Sequence, residues 1–289
     1  MNIPISSETS AAVLIEALPY LRQFYGKTIV VKYGGNAMID DTLKSQVMQD
    51  VALLHYVGIH VILVHGGGPD INAMMKQVGI EPTFVGGLRV TDAATMEIVE
   101  MVLAGKTNKN IVSLLNRQGA RAVGLSGKDA NMIVACKMHS TKGDLGFVGE
   151  VAQVNPAILS LLVEQSYIPV VSSIAIGPDG NSYNVNADHV AGHIASAVGA
   201  AKLVLLTDVE GLYADYPDKA SLINRMTIQR ADEMIKSGKA DHGMIPKLEA
   251  CITAIEGGVE RAHLIDGRVP HSLLIEIFTD SGIGTMVYA

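Results

Sequence analysis

Six short runs of β-branched and aliphatic residues recur along the chain with helical patterns between them, and they limit the fold more than any other feature. They fall at 28–33 (TIVVKY), 60–64 (HVILV), 120–125 (ARAVGL), 168–172 (IPVVS), 203–207 (LVLLT) and 262–265 (AHLI). Their apolar residues follow one another instead of alternating with polar ones, the pattern of strands covered by helices on both faces. Helical periodicity occupies 43–57, 71–78, 93–103, 108–117, 157–165, 187–197, 231–237 and 248–256. The order β-α-β-α implies an α/β fold with a mostly parallel sheet and right-handed crossovers. Asp92 is placed to cap the helix near 93, and Pro156 suits the first turn of the next one. The looser pattern at 137–154 suggests hairpins.

At 289 residues the chain is long enough for about two lobes. The turn Gly177-Pro178-Asp179-Gly180 is the best candidate boundary. Residues 11–24 precede the first strand, with Val13, Leu14, Ala17, Leu18, Leu21 and Phe24 on one helical face and Pro19 placed to kink it. That face either packs on its own domain or meets another subunit. A hydrophobic content of 48% supports a large core, and a net charge of −7 argues against a general nucleic-acid or anionic-membrane binder. Cys136 and Cys251 lie far apart without metal-ligand spacing, so a reduced, cytoplasmic setting is expected. The apolar stretch 191–206 contains His193 and Lys202 and changes period midway, and the N-terminus lacks a basic n-region. Neither a membrane span nor a signal peptide is expected.

Glycine-rich turns end the first two strand runs: Lys32-Tyr33-Gly34-Gly35-Asn36 and His65-Gly66-Gly67-Gly68-Pro69, the second opening a helix. Ligands of open α/β sheets sit at the carboxyl ends of strands, where glycines let backbone N–H groups approach an anion. Arg89, in Gly86-Gly87-Leu88-Arg89-Val90-Thr91-Asp92, is either a surface residue or a bidentate holder of a carboxylate or phosphate. Asn184, Asn186 and Asp188 occupy alternate positions that an extended strand would point to one side, although Asp188 also suits a helix cap. Lys247 opens a predicted helix, where it opposes the dipole unless an anion or solvent attends it. Gly105-Lys106-Thr107 imitates the end of a P-loop, but Glu100 stands where its first glycine belongs. No dinucleotide, protein-kinase or hydrolase signature appears, and the nine histidines form no HxxxH or HExxH pair. No metal held by protein ligands alone is expected.

Seven segments in order, KYGGNAM (32–38), VHGGGP (64–69), GLRVTD (87–92), NVNAD (184–188), LLTDVEGLY (205–213), DHGMIPK (241–247) and HLIDGRVPHSLLIEIFTDSGIGT (263–285), resemble the amino acid kinase family essentially end to end. GLRVTD and NVNAD resemble the branch acting on N-acetyl-L-glutamate rather than those acting on carbamate, aspartate or uridylate. The resemblance implies a three-layer αβα sandwich around an open, mainly parallel central sheet with an extra N-terminal helix. Its parts would be an oligomerisation helix (1–26), an amino-acid-substrate lobe (27–178) and an ATP-binding lobe (179–289). The implied reaction is phosphoryl transfer from ATP to the γ-carboxylate of N-acetyl-L-glutamate, in arginine biosynthesis, with Mg2+ held mainly through the nucleotide phosphates.

By the same resemblance Lys32 and Lys247 would neutralise the transferring group from two sides and Asp188 would orient both. Gly34, Gly35, Gly67 and Gly68 would supply backbone donors, and Gly67, Gly68, Arg89 and Asn184 would bind the amino-acid substrate. Thr207, Asp208, Gly211, Leu212, Tyr213, Lys239 and Asp241 would frame the nucleotide. Arginine-inhibited members carry a kinked N-terminal helix that joins dimers into a hexamer, and His263, Glu276 and Gly282 match their inhibitor pattern. Feedback inhibition by L-arginine is therefore expected, with Tyr20 touching the inhibitor or the helix–helix contact. Some relatives also bind a nitrogen-status signalling protein, which this sequence neither requires nor excludes. Two rival readings remain: a related acyl-phosphate-forming kinase acting on carrier-bound aminoadipate, and a catalytically silent arginine or nucleotide sensor. The joint presence of Lys32, Asp188 and Lys247 speaks against the second.

Overall fold

The computed structural model describes residues 6–38, 40–141, 143–215, 218–279 and 282–289. Asp280 and Ser281, inside the last of the seven segments, lie outside them. The first half comprises α1 (Ser7–Phe24), β1 (Thr28–Tyr33), α2 (Asp41–Tyr56), β2 (His60–His65), α3 (Gly68–Gln77), β3 (Phe84–Val85), β4 (Leu88–Arg89), α4 (Ala93–Glu100), α5 (Asn108–Arg117), β5 (Ala122–Ser126), β6 (Ile133–Lys137) and β7 (Val148–Val154). The second comprises α6 (Ala157–Glu164), β8 (Ile168–Ser172), β9 (Ile174–Ile176), β10 (Ser182–Val185), α7 (Ala187–Ala197), β11 (Lys202–Thr207), β12 (Arg225–Thr227), α8 (Ile228–Lys236), α9 (Ile245–Glu256), β13 (Arg261–Asp266), α10 (Ser272–Phe278) and β14 (Thr285–Tyr288).

Eight strands form one sheet in the order β12-β14-β13-β11-β1-β2-β8-β5, parallel except where β14 meets β13. The doubly apolar runs explain the three layers, because alternate residues of each strand enter different cores. Val30, Ile62, Val64, Leu203 and Leu205 pack with residues of α6, α7 and α9. Ile29, Val31, Val61, Leu63, Val204 and Leu206 pack with α2, α5 and α10. The expected α/β sandwich with a mainly parallel sheet is thus the observed one. Asp40 and Asp92 cap α2 and α4, each accepting from a backbone N–H three residues on.

Several boundaries differ from the sequence reading. The two helices expected at 93–103 and 108–117 form one continuous helical run, joined by a π-helical stretch over Met101–Thr107. Gly105, Lys106 and Thr107 therefore sit within a helix, as the missing first glycine of a P-loop implies. The turn at 177–180 closes the β9–β10 hairpin, whose strands join β6 and β7 in a small closed four-stranded barrel. The expected boundary at 178/179 falls in this turn, between the paired strands β9 and β10. The short strands β3, β4, β9, β12 and β14 have too few residues to reveal a period in sequence. Helix α1 runs through Pro19, capped by Ser6, and buries only Phe24 fully. Val13, Leu14, Ile15 and Leu18 are exposed. No helix among the described residues is long and apolar enough to cross a membrane.

Candidate active site

Three charged side chains from three elements meet beside the carboxyl ends of the central strands. Lys32, near the end of β1, pairs in register with Val64 of β2 and Leu205 of β11, at the middle of the sheet. Its Nζ lies 3.0 Å from Oδ1 of Asp188, the second residue of α7. Lys247, in the first turn of α9, places its Nζ 3.2 Å from Oδ2 of the same carboxylate and donates to the Gly243 carbonyl at 3.1 Å. All three side chains are largely buried. Burial alone would raise the Asp188 pKa, but the two ammonium groups outweigh it and hold the carboxyl at about 2.

Local structure explains the convergence. A Cβ on Gly192 would stand 2.6 Å from the Ala250 carbonyl, so this glycine lets α7 and α9 approach closely one turn beyond Asp188 and Lys247. A Cβ on Gly34 would stand 2.7 Å from Lys32 Nζ, so a side chain there would obstruct the ammonium. Asp241 accepts from the backbone N–H of Gly243 and of Met244, both at 2.8 Å, which fixes the start of α9 and hence Lys247. Asn184, Asn186 and Asp188 do not share a side of a strand, because β10 ends at Val185 and Asn186 is the N-cap of α7. The capping role open to Asp188 belongs to Asn186, which accepts from the N–H groups of Asp188 and His189.

The two glycine turns lie side by side, with the Gly66 N–H bonded to the Tyr33 carbonyl at 3.2 Å. Gly66 packs near the Ala187 methyl, which brings the second turn to the start of α7 and so to Asp188. Gly35 adopts φ +68°, and a side chain on it would collide with the carboxylate of Asp208, the residue after β11. Gly67 is hemmed in by Leu103, whose Cδ2 would be 2.5 Å from an added Cβ. The first N–H groups of α3 have no carbonyl partner within that helix.

Arg89 is buried without a carboxylate among the described residues. Its guanidinium donates to Asn72 Oδ1 at 2.6 Å, approaches Met75 sulfur at 3.3 Å and lies 4.9 Å from the centre of the Phe84 ring. Burial pulls its pKa below the ordinary value. A desolvated cation with only neutral partners favours an anionic ligand. Asn184 donates to Thr91 Oγ1 at 3.2 Å, and Thr91 donates to the Arg89 carbonyl at 3.1 Å, so both substrate candidates belong to one connected segment. The sequence reading missed Asn72 and Met75; their signal was a spacing of three on α3, which places both on one face.

The nucleotide candidates fall into two groups. Thr207 ends β11 and Asp208 follows it, while buried Leu212 donates its N–H to Thr285 Oγ1 at 2.8 Å. Gly211 would meet Thr285 if it carried a side chain, and the Tyr213 hydroxyl donates to Glu210. Lys239 lines a cavity of about 280 Å3 with Ala214, Ile223, Arg230, Glu233 and Met234. Asp241 instead uses its carboxylate in the turn before α9.

Tyr20, His263, Glu276 and Gly282 line a single cavity of about 710 Å3 beside α1, β13 and α10. His263 Nδ1 and Glu276 Oε1 are 2.6 Å apart, and the Ile283 N–H donates to Oε2 at 3.0 Å. Burial works against the Glu276 charge, but these contacts keep its carboxyl below the usual range. The His263 Nε2 is buried without a hydrogen-bond partner among the described residues. Lys202 also lines this cavity, a residue the sequence reading treated only as an interruption of an apolar run.

The sequence profile described as the amino acid kinase family matches residues 27–266. An acetylglutamate kinase of Pelotomaculum thermopropionicum is 57% identical over 286 residues, covering 96% of this chain and 97% of the relative. One from Symbiobacterium thermophilum is 59% identical over 283 residues, covering 96% and 97%. Among solved structures, the N-acetylglutamate synthase of Neisseria gonorrhoeae complexed with coenzyme A and N-acetyl-glutamate superimposes with a TM-score of 0.84 at 26% identity. It covers 96% of this chain, which in turn spans 63% of that longer one. The chain belongs to the amino acid kinase family, among its acetylglutamate kinases.

Proposed function

We infer that the chain transfers the γ-phosphoryl group of MgATP to the γ-carboxylate of N-acetyl-L-glutamate, forming an acyl phosphate for arginine biosynthesis. The Lys32–Asp188–Lys247 arrangement carries this reading. Attacking carboxylate and transferred phosphoryl group are both anionic, so the reaction depends on positioning and on neutralising charge at the point of meeting. Lys32 reaches this point from the strand that leads into the first glycine turn, and Lys247 reaches it from the first turn of α9. Asp188 holds both ammonium groups in place without accepting a proton in the working pH range.

In this reading Arg89 pairs with the α-carboxylate of the substrate, Asn184 holds its polar groups, and the N–H groups of Gly67 and Gly68 face the transferring oxygens. Thr207, Asp208 and the segment from Gly211 to Tyr213 frame the nucleotide with Lys239. Magnesium arrives with the nucleotide. L-arginine is the proposed occupant of the 710 Å3 cavity, where Glu276 would take its guanidinium or amino group. The exposed apolar residues of α1 would then join subunits beside that cavity, in a hexamer built from dimers.

The test is hydroxylamine trapping with MgATP and N-acetyl-L-glutamate, against free glutamate and aminoadipate. Hydroxamate formed only from N-acetyl-L-glutamate is the expected result. None from any of the three, with ATP still bound, would overturn the reading.

A further inference from the structure

His65 ends β2, is fully buried, and has no part in the chemistry described above. Its hydrogen bonds fix where its proton sits. Nδ1 lies 2.8 Å from the carbonyl oxygen of Gly66, which can only accept, so Nδ1 carries the hydrogen. Nε2 lies 3.1 Å from Asn108 Nδ2. The orientation of that amide is itself determined: Lys109 Nζ donates to Asn108 Oδ1 at 3.1 Å, while Nδ2 donates to the Val170 carbonyl at 2.9 Å. Nδ2 therefore faces Nε2 as a donor, and Nε2 is the bare, accepting nitrogen. Burial pushes the imidazole down to about 4, consistent with a neutral ring. Gly124 of β5 leaves the room the Asn108 amide occupies.

The carbonyl that His65 holds belongs to the Gly66–Gly67 peptide. In a trans peptide the C=O and N–H point in opposite directions. Holding the Gly66 oxygen against the buried imidazole therefore turns the Gly67 N–H away from the ring. A peptide flanked by two glycines has little intrinsic preference against flipping, since neither neighbour has a Cβ to resist it. On the other side Leu103, carried by the π-helical stretch, packs against Gly67. We propose that His65, kept in its Nδ1–H form by Asn108, is a positioning residue that locks the Gly66–Gly67 peptide with its N–H directed at the transferring phosphoryl group. This rests on the reading that Gly67 and Gly68 donate to that group.

The pair His65→Leu and His65→Asn tests it. The two replacements have nearly the same branched shape, but only asparagine restores a donor near the Nδ1 position. His65→Leu is expected to lower kcat roughly 10- to 100-fold, with KM for MgATP and N-acetyl-L-glutamate changed less than about threefold. His65→Asn is expected to recover kcat to within about fivefold of the unmodified chain. Equal losses in both variants, or an unchanged kcat in His65→Leu, would overturn the proposal. Should His65→Leu not fold, His65→Asn carries the test alone: its Gly67 amide signal must shift on adding MgADP, aluminium fluoride and N-acetyl-L-glutamate as it does in the unmodified chain, and the absence of that shift would overturn the proposal.

Amide spectra separate this proposal from the reading beneath it. Labelling glycine with 13C at the carbonyl and 15N singles out amides that follow another glycine, those of Gly35, Gly67, Gly68, Gly87 and Gly258. Adding MgADP, aluminium fluoride and N-acetyl-L-glutamate to the unmodified chain should shift the Gly67 signal. No shift there refutes the donor reading itself. A shift that persists unchanged in His65→Leu refutes only the role of His65.

Discussion

Replacing Asp188 by asparagine removes one charge and almost no volume, which makes it the sharpest probe of the site. The Asp188 carboxyl stays ionised in the fold down to about pH 2, whereas in the unfolded chain it protonates near its ordinary 3.8. Between those values unfolding takes up a proton, so the stabilisation is complete above about pH 4 and is lost as pH falls through 2. A shift of nearly two units at 1.36 kcal/mol each is worth about 2–3 kcal/mol. The substitution also leaves two ammonium groups facing each other, and breaking a buried ion pair by removing one partner costs about 3–5 kcal/mol. Lys32 and Lys247 retain some solvent access and can turn outward, so a loss near 3 kcal/mol is expected. For a chain of 289 residues that corresponds to a fall in Tm of about 5 °C. Asp188→Asn should also lower kcat by roughly 10²–10³, as loss of a preorganised charge contact does. Thermal melts at pH 7 and hydroxamate formation read the two effects. ATP should raise the Tm of the variant more than that of the unmodified chain, because its phosphates replace the missing negative charge. A Tm within 1 °C of the unmodified chain together with a kcat within about threefold would refute the reasoning.

Lys32→Ala should lower kcat by roughly 10²–10³ with little change in KM, since its charge matters most as the phosphoryl group moves; steady-state kinetics check this. Arg89→Ala should raise KM for N-acetyl-L-glutamate roughly 10²-fold and leave kcat within about threefold, because the carboxylate it pairs with is unchanged by the reaction. The reverse pattern would sink both assignments. Millimolar L-arginine should inhibit the unmodified chain, and Glu276→Gln should raise the half-inhibiting concentration at least about tenfold, since it removes a buried charged acceptor. An unchanged arginine response in that variant would place the inhibitor elsewhere.

How much of this was legible in sequence follows from how local each signal is. The six central strands announce themselves because a strand buried on both faces has no polar alternation to hide it, and β1 and β8 are found at the expected residues. The short strands fail because two to four residues carry no period. The π-helical stretch fails because the difference between i→i+4 and i→i+5 bonding leaves little trace in composition. Lys32 and Arg89 could be singled out by their place beside glycines. The neutral surroundings of Arg89 could not, since Asn72 and Met75 reach it from 17 and 14 residues away. His65 is the opposite case. It stands inside one of the clearest motifs, but its proton is set by Asn108, 43 residues on, and only the folded contacts reveal it.

The donor inventory explains why the cluster needs a carboxylate rather than two free lysines. Each ammonium has three N–H donors. Lys247 directs one to Asp188 and one to Gly243, while Lys32 faces the other Asp188 oxygen as an ion pair at 3.0 Å. Both ammonium groups therefore keep donors for incoming oxygens, and the cluster keeps a net charge of +1. Without Asp188 the two cations would repel and turn to solvent, and ordering them would have to be achieved anew with each substrate. With a second carboxylate the cluster would be neutral and would give incoming anions no electrostatic advantage. One buried aspartate between two lysines is the arrangement that stays ordered when empty and attractive to anions when open. It follows that Lys247→Met should leave Lys32 ordered by its ion pair yet abolish the net charge, so affinity for MgATP should fall along with kcat. A Lys247→Met variant that bound MgATP as tightly as the unmodified chain would show that the charge balance is not what draws the nucleotide in.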